Sequence, residues 1–211
     1  MTDDLAFLMY LLAHDEAAEG PYDRSRTEFL VRAAALVDLA LRGRLNEEGG
    51  AVAASGTEPI GDPVLDGVLR DAAGHGWKAL VRRHRRRTLT QVEDGLATAG
   101  LLTVRTSRTG FGKRRLTVTD PAVPAALRAR ASTALHGDGP VRDIPDADAA
   151  LLALASVGGI RSVVSRQDQK THRARIDACT GRLAALAPGL EKAVRTLPMT
   201  MIAARGGMGG S

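Results

Sequence analysis

TEFLVRAAALVDLALRGRL, residues 27–45, is the stretch from which the fold is read. Phe29, Leu30, Ala33, Leu36, Val37, Ala40 and Leu41 recur at i, i+3/i+4 and i+7, the period of an α-helix. The intervening Ala34, Ala35 and Leu39 are apolar as well. A surface helix needs one apolar stripe, so a helix apolar on nearly every side belongs at the centre of a bundle. Ser25-Arg26-Thr27-Glu28 reads as its capping box. Leu41-Arg42-Gly43-Arg44-Leu45 ends it. Arg32 interrupts the apolar run, and by itself reads as a snorkelling surface side chain.

Composition agrees with a helical core. The 211-residue chain is 44% hydrophobic but only 3% aromatic, so its core is built from Leu, Val and Ala, which favours helix packing over a β-sandwich. The single cysteine, Cys179, rules out an internal disulfide and supplies no zinc set. Met1-Thr2-Asp3-Asp4 is acidic where a signal peptide is basic, and the apolar run 5–12 is far too short to span a bilayer. The expectation is a soluble, cytoplasmic protein whose contact with a membrane is peripheral. The excess of arginine over lysine, with abundant Ala and Gly, points to a GC-rich bacterial genome.

Outward from the central helix, residues 5–12 form a first helix that stops near His14-Asp15, before the loop forced by Gly20-Pro21. Residues 45–47 and 51–54, split by Gly49-Gly50, read as a small hairpin. Asp62-Pro63 starts a helix with Val64, Leu65, Val68 and Leu69 on one face. Trp77 begins another and anchors its packing. Further on, residues 121–135 are helical, Asp146-Ala147-Asp148 caps an apolar helix over 149–157, and two last helices span 167–186 and 190–204. Residues 1–205 are read as one domain and the Gly-rich residues 206–211 as a disordered tail.

Charge is concentrated in residues 81–119, VRRHRRRTLTQVEDGLATAGLLTVRTSRTGFGKRRLTVT. Ten basic residues between Arg82 and Arg115 face only Glu93 and Asp94, although the whole chain is just +5. So local an excess marks a patch that meets an anion. Thr88-Leu89-Thr90-Gln91 reads as a capping box with Thr88 at the N-cap, placing Arg86 and Arg87 just before a helix N-terminus. Helix-end N–H groups and forked guanidiniums suit phosphate. A solvated basic face without a specific ligand accounts for the same run equally well. Leu89, Val92 and Leu96 form the buried stripe of this helix, and Gly100 closes it. Residues 101–106 and 115–119 alternate as two strands around the tip Gly110-Phe111-Gly112. Phe111 is explained either by burial or by insertion into a partner or lipid surface.

Motifs of catalysis are missing. The sequence has no GxSxG, P-loop or GxGxxG, and its five histidines, His14, His75, His84, His136 and His172, lack metal-ligand spacing. Ser162 and Ser165 carry no mark of a nucleophile, and no pair of acids forms an acid/base motif. No enzyme, metal or cofactor is expected.

Four stretches together resemble the Golgi phosphoprotein 3 (GPP34) family. They are the apolar helix and acidic-glycine segment of residues 5–20, LVDLALRGRL at 36–45, GDPVLD at 61–66, and Trp77 followed by arginines and LATAGLL at 96–102. The resemblance covers about residues 4–204. It implies a mainly α, single globular domain around a central apolar helix, with a projecting basic β-hairpin. It also implies a peripheral membrane protein that binds phosphatidylinositol 4-phosphate in a basic pocket. Transferred by position, the pocket residues are Arg32 and Arg86, or Arg87 with a one-residue gap. The family's second helix-start arginine falls on Leu89 or Thr90, with Arg82, Arg83 and Arg85 as substitutes. The family's tryptophan falls on Asp23, with Tyr22 standing in. The expected headgroup set is therefore Arg32, Arg86, Arg87, Tyr22 and Arg83. The expected membrane-contact hairpin carries Arg108, Phe111, Lys113 and Arg114. Protein clients are not specified by the sequence.

The 88–119 segment has a competing reading as a winged helix that binds DNA, which a pI near 10.0 suits. Its recognition helix would carry Glu93 and Asp94 and no cation, a poor set for reading bases. The anionic phospholipid surface is therefore the favoured partner over nucleic acid.

Overall fold

The apolar period of residues 29–41 produces the helix around which everything else packs. In the computed structural model, which describes residues 4–56, 58–106 and 114–206, helix α2 (Arg24–Leu41) is buried continuously from Thr27 to Ala40. Its start differs from the capping-box reading: Asp23 is the N-cap, and its Oδ1 accepts from the Arg26 amide at 3.1 Å. Ser25 and Glu28 lie inside the helix, which frees Glu28 for another partner.

Helix α1 (Leu5–Ala13) is entirely buried and lies against α2. It has no cap of its own, and the Leu5 amide donates to Asp38 Oδ2 of α2 at 2.8 Å. Arg42 then bonds Asp38 Oδ1 at 2.5 Å and Asp4 Oδ1 at 2.6 Å. The chain leaves α2 through Gly43 at φ +66°, a left-handed value that favours glycine. Arg44 donates to the Ser55 carbonyl at 3.1 Å and also to that of Glu58. Thus the residues of LVDLALRGRL fix α1, end α2 and secure the hairpin that follows.

That hairpin is β3 (Leu45–Glu48) with β4 (Ala51–Ala54), antiparallel, Leu45 opposite Ala54. Before it, β1 (His14–Asp15) pairs with β2 (Gly20–Pro21). Helix α3 (Pro63–Arg70) starts as expected, with Asp62 capping the Leu65 amide at 2.7 Å. Helix α4 (Trp77–Arg82) opens on Trp77, whose Nε1 donates to Glu47 Oε2 at 3.2 Å.

Helix α5 (Arg85–Thr98) leads into the antiparallel strands β5 (Leu102–Thr106) and β6 (Arg114–Val118). Helices α6 (Ala122–His136) and α7 (Asp146–Gly158) flank the core, separated by a 3₁₀ turn, Val141–Asp143. Asp146 and Asp148 occupy the first turn of α7 and Pro145 is its N-cap. The two long helices expected at the end are five short ones: α8 (Arg166–Thr171), α9 (Arg173–Gly181), α10 (Leu183–Leu186), α11 (Pro188–Arg195) and α12 (Leu197–Gly206). Ser165 and Asp168 form a reciprocal capping box at α8, which explains the polar pair. Gly206 closes α12, and residues 207–211 of the expected tail lie outside the described residues. The fold is mainly helical with small two-stranded hairpins, as its composition indicates. Among the described residues, no helix is long and apolar enough to cross a membrane.

Candidate functional site

Helices α2, α4 and α5 converge under the arginine run. Helix α5 begins four residues earlier than the capping-box reading places it. His84 sits at its N-cap in the left-handed region, φ 52°, a conformation that costs a non-glycine residue energy. His84 provides no side-chain cap, so the helix opens with Arg85, Arg86 and Arg87 in its first turn. Thr88 is the next residue in, buried, its hydroxyl 3.2 Å from the His84 carbonyl.

Beneath this turn lies Arg32. The surface reading is corrected here, because the residue is only 1% exposed. Its Nε donates to the Leu80 carbonyl in α4 at 3.1 Å, and its Nη1 to Thr88 Oγ1 in α5 at 3.2 Å. Its Nη2 is buried 3.7 Å from Asp71 Oδ2 and has no hydrogen-bond partner among the described residues. Burial lowers its pKa to about 10; Asp71 opposes this shift and Arg83 adds to it. At neutral pH the group is therefore a buried cation that is only partly satisfied, and such a group gains from any added negative charge.

The arginines above it fall into two sets. Arg85 is held in place, with Nε 3.3 Å from Glu28 Oε2 and its guanidinium 4.4 Å from the centroid of Phe29. Arg86 reaches the same carboxylate at 3.7 Å, but its side chain is 69% exposed. Arg82, Arg83 and Arg87 are exposed as well. The result is a cluster of exposed arginines in the residues that precede and open α5, with the buried Arg32 cation beneath. Farther along α5, the exposed Thr90, Asp94 and Thr98 offer no cation.

Tyr22 belongs to a different contact. Its hydroxyl donates to the Gly158 carbonyl at the end of α7, at 2.5 Å. It lines a cavity of about 520 Å³ together with His14, Arg128 and Ile160.

The base of the β5–β6 hairpin is fastened on both sides. Glu93 is fully buried in α5 and takes a two-pronged bond from Arg24, at 2.6 and 2.9 Å. Arg114 lies 3.9 Å from Glu93 Oε2 and donates to Asp94 Oδ1 at 2.9 Å, so it is joined to α5. Across the hairpin, the Leu116 amide donates to the Glu19 carbonyl at 2.8 Å, and His14 Nε2 donates to the Leu116 carbonyl at 2.8 Å. Arg108, Phe111 and Lys113 of the expected membrane contact lie outside the described residues.

Residues 5–197 match the family described as Golgi phosphoprotein 3 (GPP34). The chain belongs to that family. No curated protein matches it.

In this GPP34 protein the sequence signature and the basic loop meet on one helix. LVDLAL forms the C-terminal part of α2, RGRL leads out of it into β3, and Arg32 lies one turn before the stretch. Sequence reasoning missed Glu28, Asp71 and Thr88 as members of the site. Glu28 had a local explanation as a cap, and Thr88 had another. Asp71 carries no signal in the sequence, because only the packing of α3 against α2 brings it to Arg32.

Proposed function

We propose that this GPP34 protein, a bacterial member by its composition, is a peripheral membrane protein. It binds an anionic phosphoinositide headgroup, of the phosphatidylinositol 4-phosphate type, at the N-terminus of α5. One observation carries the reading: the buried Arg32 cation, whose Nη2 has no hydrogen-bond partner among the described residues, sits under a helix start that carries exposed Arg83, Arg86 and Arg87. Helix-end amides and arginine forks together favour phosphate. The family supports the same ligand class. In this reading Arg83, Arg86 and Arg87 touch the headgroup, and Arg32 acts from below by fixing the α4–α5 turn and adding charge. Tyr22 is left out of the pocket, since it is engaged at Gly158. Arg108, Phe111 and Lys113 are proposed to meet the bilayer beside the pocket, on the cytoplasmic face. Each basic residue near an anionic surface contributes about 1 kcal/mol, so several together give reversible attachment.

The test is co-sedimentation with liposomes of fixed surface charge, containing either phosphatidylinositol 4-phosphate or phosphatidylserine. The expected result is preference for the phosphoinositide, lost in Arg86→Ala/Arg87→Ala. Equal binding to both liposomes would replace the pocket with a non-selective basic face. Absence of binding to either would overturn the membrane reading and leave DNA or protein as the partner.

A further inference from the structure

Packing brings together two histidines that stand 36 residues apart in the chain. His136 is the last residue of α6, and His172 is the joint between α8 and α9. His136 Nδ1 lies 3.2 Å from His172 Nε2, and the rings meet edge to face with centroids 4.7 Å apart. Asp168, one turn before His172, joins them: its Oδ1 is 3.8 Å from His136 Nε2. One ligand atom from each of the three residues falls within 4.8 Å of the other two.

We propose that His136, Asp168 and His172 bind a divalent transition ion of the zinc class, which fastens the end of α6 to the α8–α9 joint. Two imidazole nitrogens and one carboxylate form a borderline donor set, which suits Zn²⁺ or Co²⁺ and not the oxygen-seeking Ca²⁺ or Mg²⁺. With Zn–N bonds of about 2.0–2.1 Å, two nitrogens on one tetrahedral ion are about 3.3 Å apart. The 3.2 Å separation of His136 Nδ1 and His172 Nε2 matches that edge. An ion takes one of the two nitrogens of His136.

The surroundings hold these donors in place. Asp168 Oδ2 accepts from the Ser165 amide at 2.9 Å, which orients the carboxylate and leaves Oδ1 for the ion. The His172 amide donates to the Asp168 carbonyl at 2.9 Å, so the two ligands share one helical turn. Arg175 of α9 donates to the Ala134 carbonyl at 2.6 Å and the Gly139 carbonyl at 2.7 Å, fixing the segment that carries His136. His136 is exposed and the other two are half-buried, so an ion has access from solvent and water completes the shell. The site lies on helices apart from the arginine loop and does not depend on the lipid reading.

The test is titration of tag-free protein with Co²⁺, followed by the visible d–d absorption of a tetrahedral complex. The expected result is one equivalent per chain, displaced by Zn²⁺ and reversed by chelator. Zn²⁺ should also raise the melting temperature. His136→Ala and His172→Ala should each remove both responses while leaving the metal-free melting temperature near that of the parent. No saturable uptake by the parent protein, or uptake unchanged in both variants, would overturn the proposal.

Discussion

Arg32 in the central helix donates from Nη1 to Thr88 Oγ1, 3.2 Å away in the first turn of α5. This bond, with that from Nε to the Leu80 carbonyl, joins three helices beneath the arginine loop. Thr88→Val keeps the shape of the side chain but removes the acceptor. Loss of about 1–3 kcal/mol is expected, because a second Arg32 donor is then buried without a partner. Urea denaturation measures it. Thr90→Val, an exposed position on the same helix, should change stability by less than about 0.5 kcal/mol.

Replacing Arg32 itself separates folding from binding. Methionine fills much of the same volume without a charge but breaks the Arg32–Asp71 pair from one side, a loss of about 3–5 kcal/mol for a fully buried pair and less here because Asp71 is partly exposed. Arg32→Met is therefore expected to lower the denaturation midpoint while the protein stays folded in buffer, and to weaken sedimentation with phosphoinositide liposomes. Unchanged liposome binding would remove Arg32 from the headgroup site.

The pair Arg24–Glu93 secures the base of the hairpin. Arg24→Ala leaves the buried Glu93 carboxylate with Arg114, at 3.9 Å, as its remaining cation among the described residues. The cost expected is about 2 kcal/mol, below the usual 3–5 for a broken buried pair because Arg24 is half exposed and Arg114 remains. Adding Glu93→Gln removes the stranded charge. In a double-mutant cycle the two substitutions should therefore cost less together than the sum of their separate effects.

The sequence disclosed the elements whose explanation is local. The period of residues 29–41 located the central helix, Asp62-Pro63 marked α3, and Gly49-Gly50 marked the hairpin turn. It misplaced the start of α5 because Thr88 is a good N-cap residue in isolation. In the fold, its hydroxyl serves Arg32, and His84 takes the N-cap position, in the left-handed region, four residues sooner. It could not tell a snorkelling Arg32 from a buried one, since its partners Leu80 and Thr88 are 48 and 56 residues away. The five short C-terminal helices merged into two only in part for a similar reason. The joint at His172 carries no proline or glycine to announce it, while Gly181 before Arg182 and Pro198 after Thr196 announce the other two and went unread.

Gly158 shows close packing that periodicity does not reveal. A Cβ built there would lie 2.5 Å from Leu30 Cδ1 and 2.8 Å from Cδ2, and Leu30 is fully buried in the central helix. Gly158→Ala is expected to destabilise by about 1–3 kcal/mol through overpacking, despite alanine's better helix propensity. Gly139→Ala, where a Cβ meets open space and φ is not positive, should be neutral or slightly stabilising. Thermal melts of the two variants provide the comparison.

Arg42 gives the pH-dependent prediction. The Asp4 carboxyl is pushed above the usual range, first by burial and then by Asp62 and Asp38, while Arg42 opposes the shift. A carboxyl raised in the folded state holds its proton more tightly there than in the unfolded chain. Its contribution to stability is complete below the unfolded value of about 3.9 and is lost as pH rises through the folded value. At neutral pH Asp4 is thus an acid ionised at some cost, and Arg42, at 2.6 Å, is the cation that makes its charge tolerable. Arg42→Ala is expected to cost about 1–2 kcal/mol at pH 7, a modest figure because the arginine is partly exposed. The cost should shrink as pH falls toward the carboxyl range, where Asp4 takes up its proton. In an Asp4→Asn background the part of the penalty due to Asp4 should disappear, leaving that of Asp38. Urea midpoints of the parent, Arg42→Ala and Asp4→Asn/Arg42→Ala between pH 4 and pH 7 measure this. A penalty that does not vary with pH would show that Arg42 acts through packing alone.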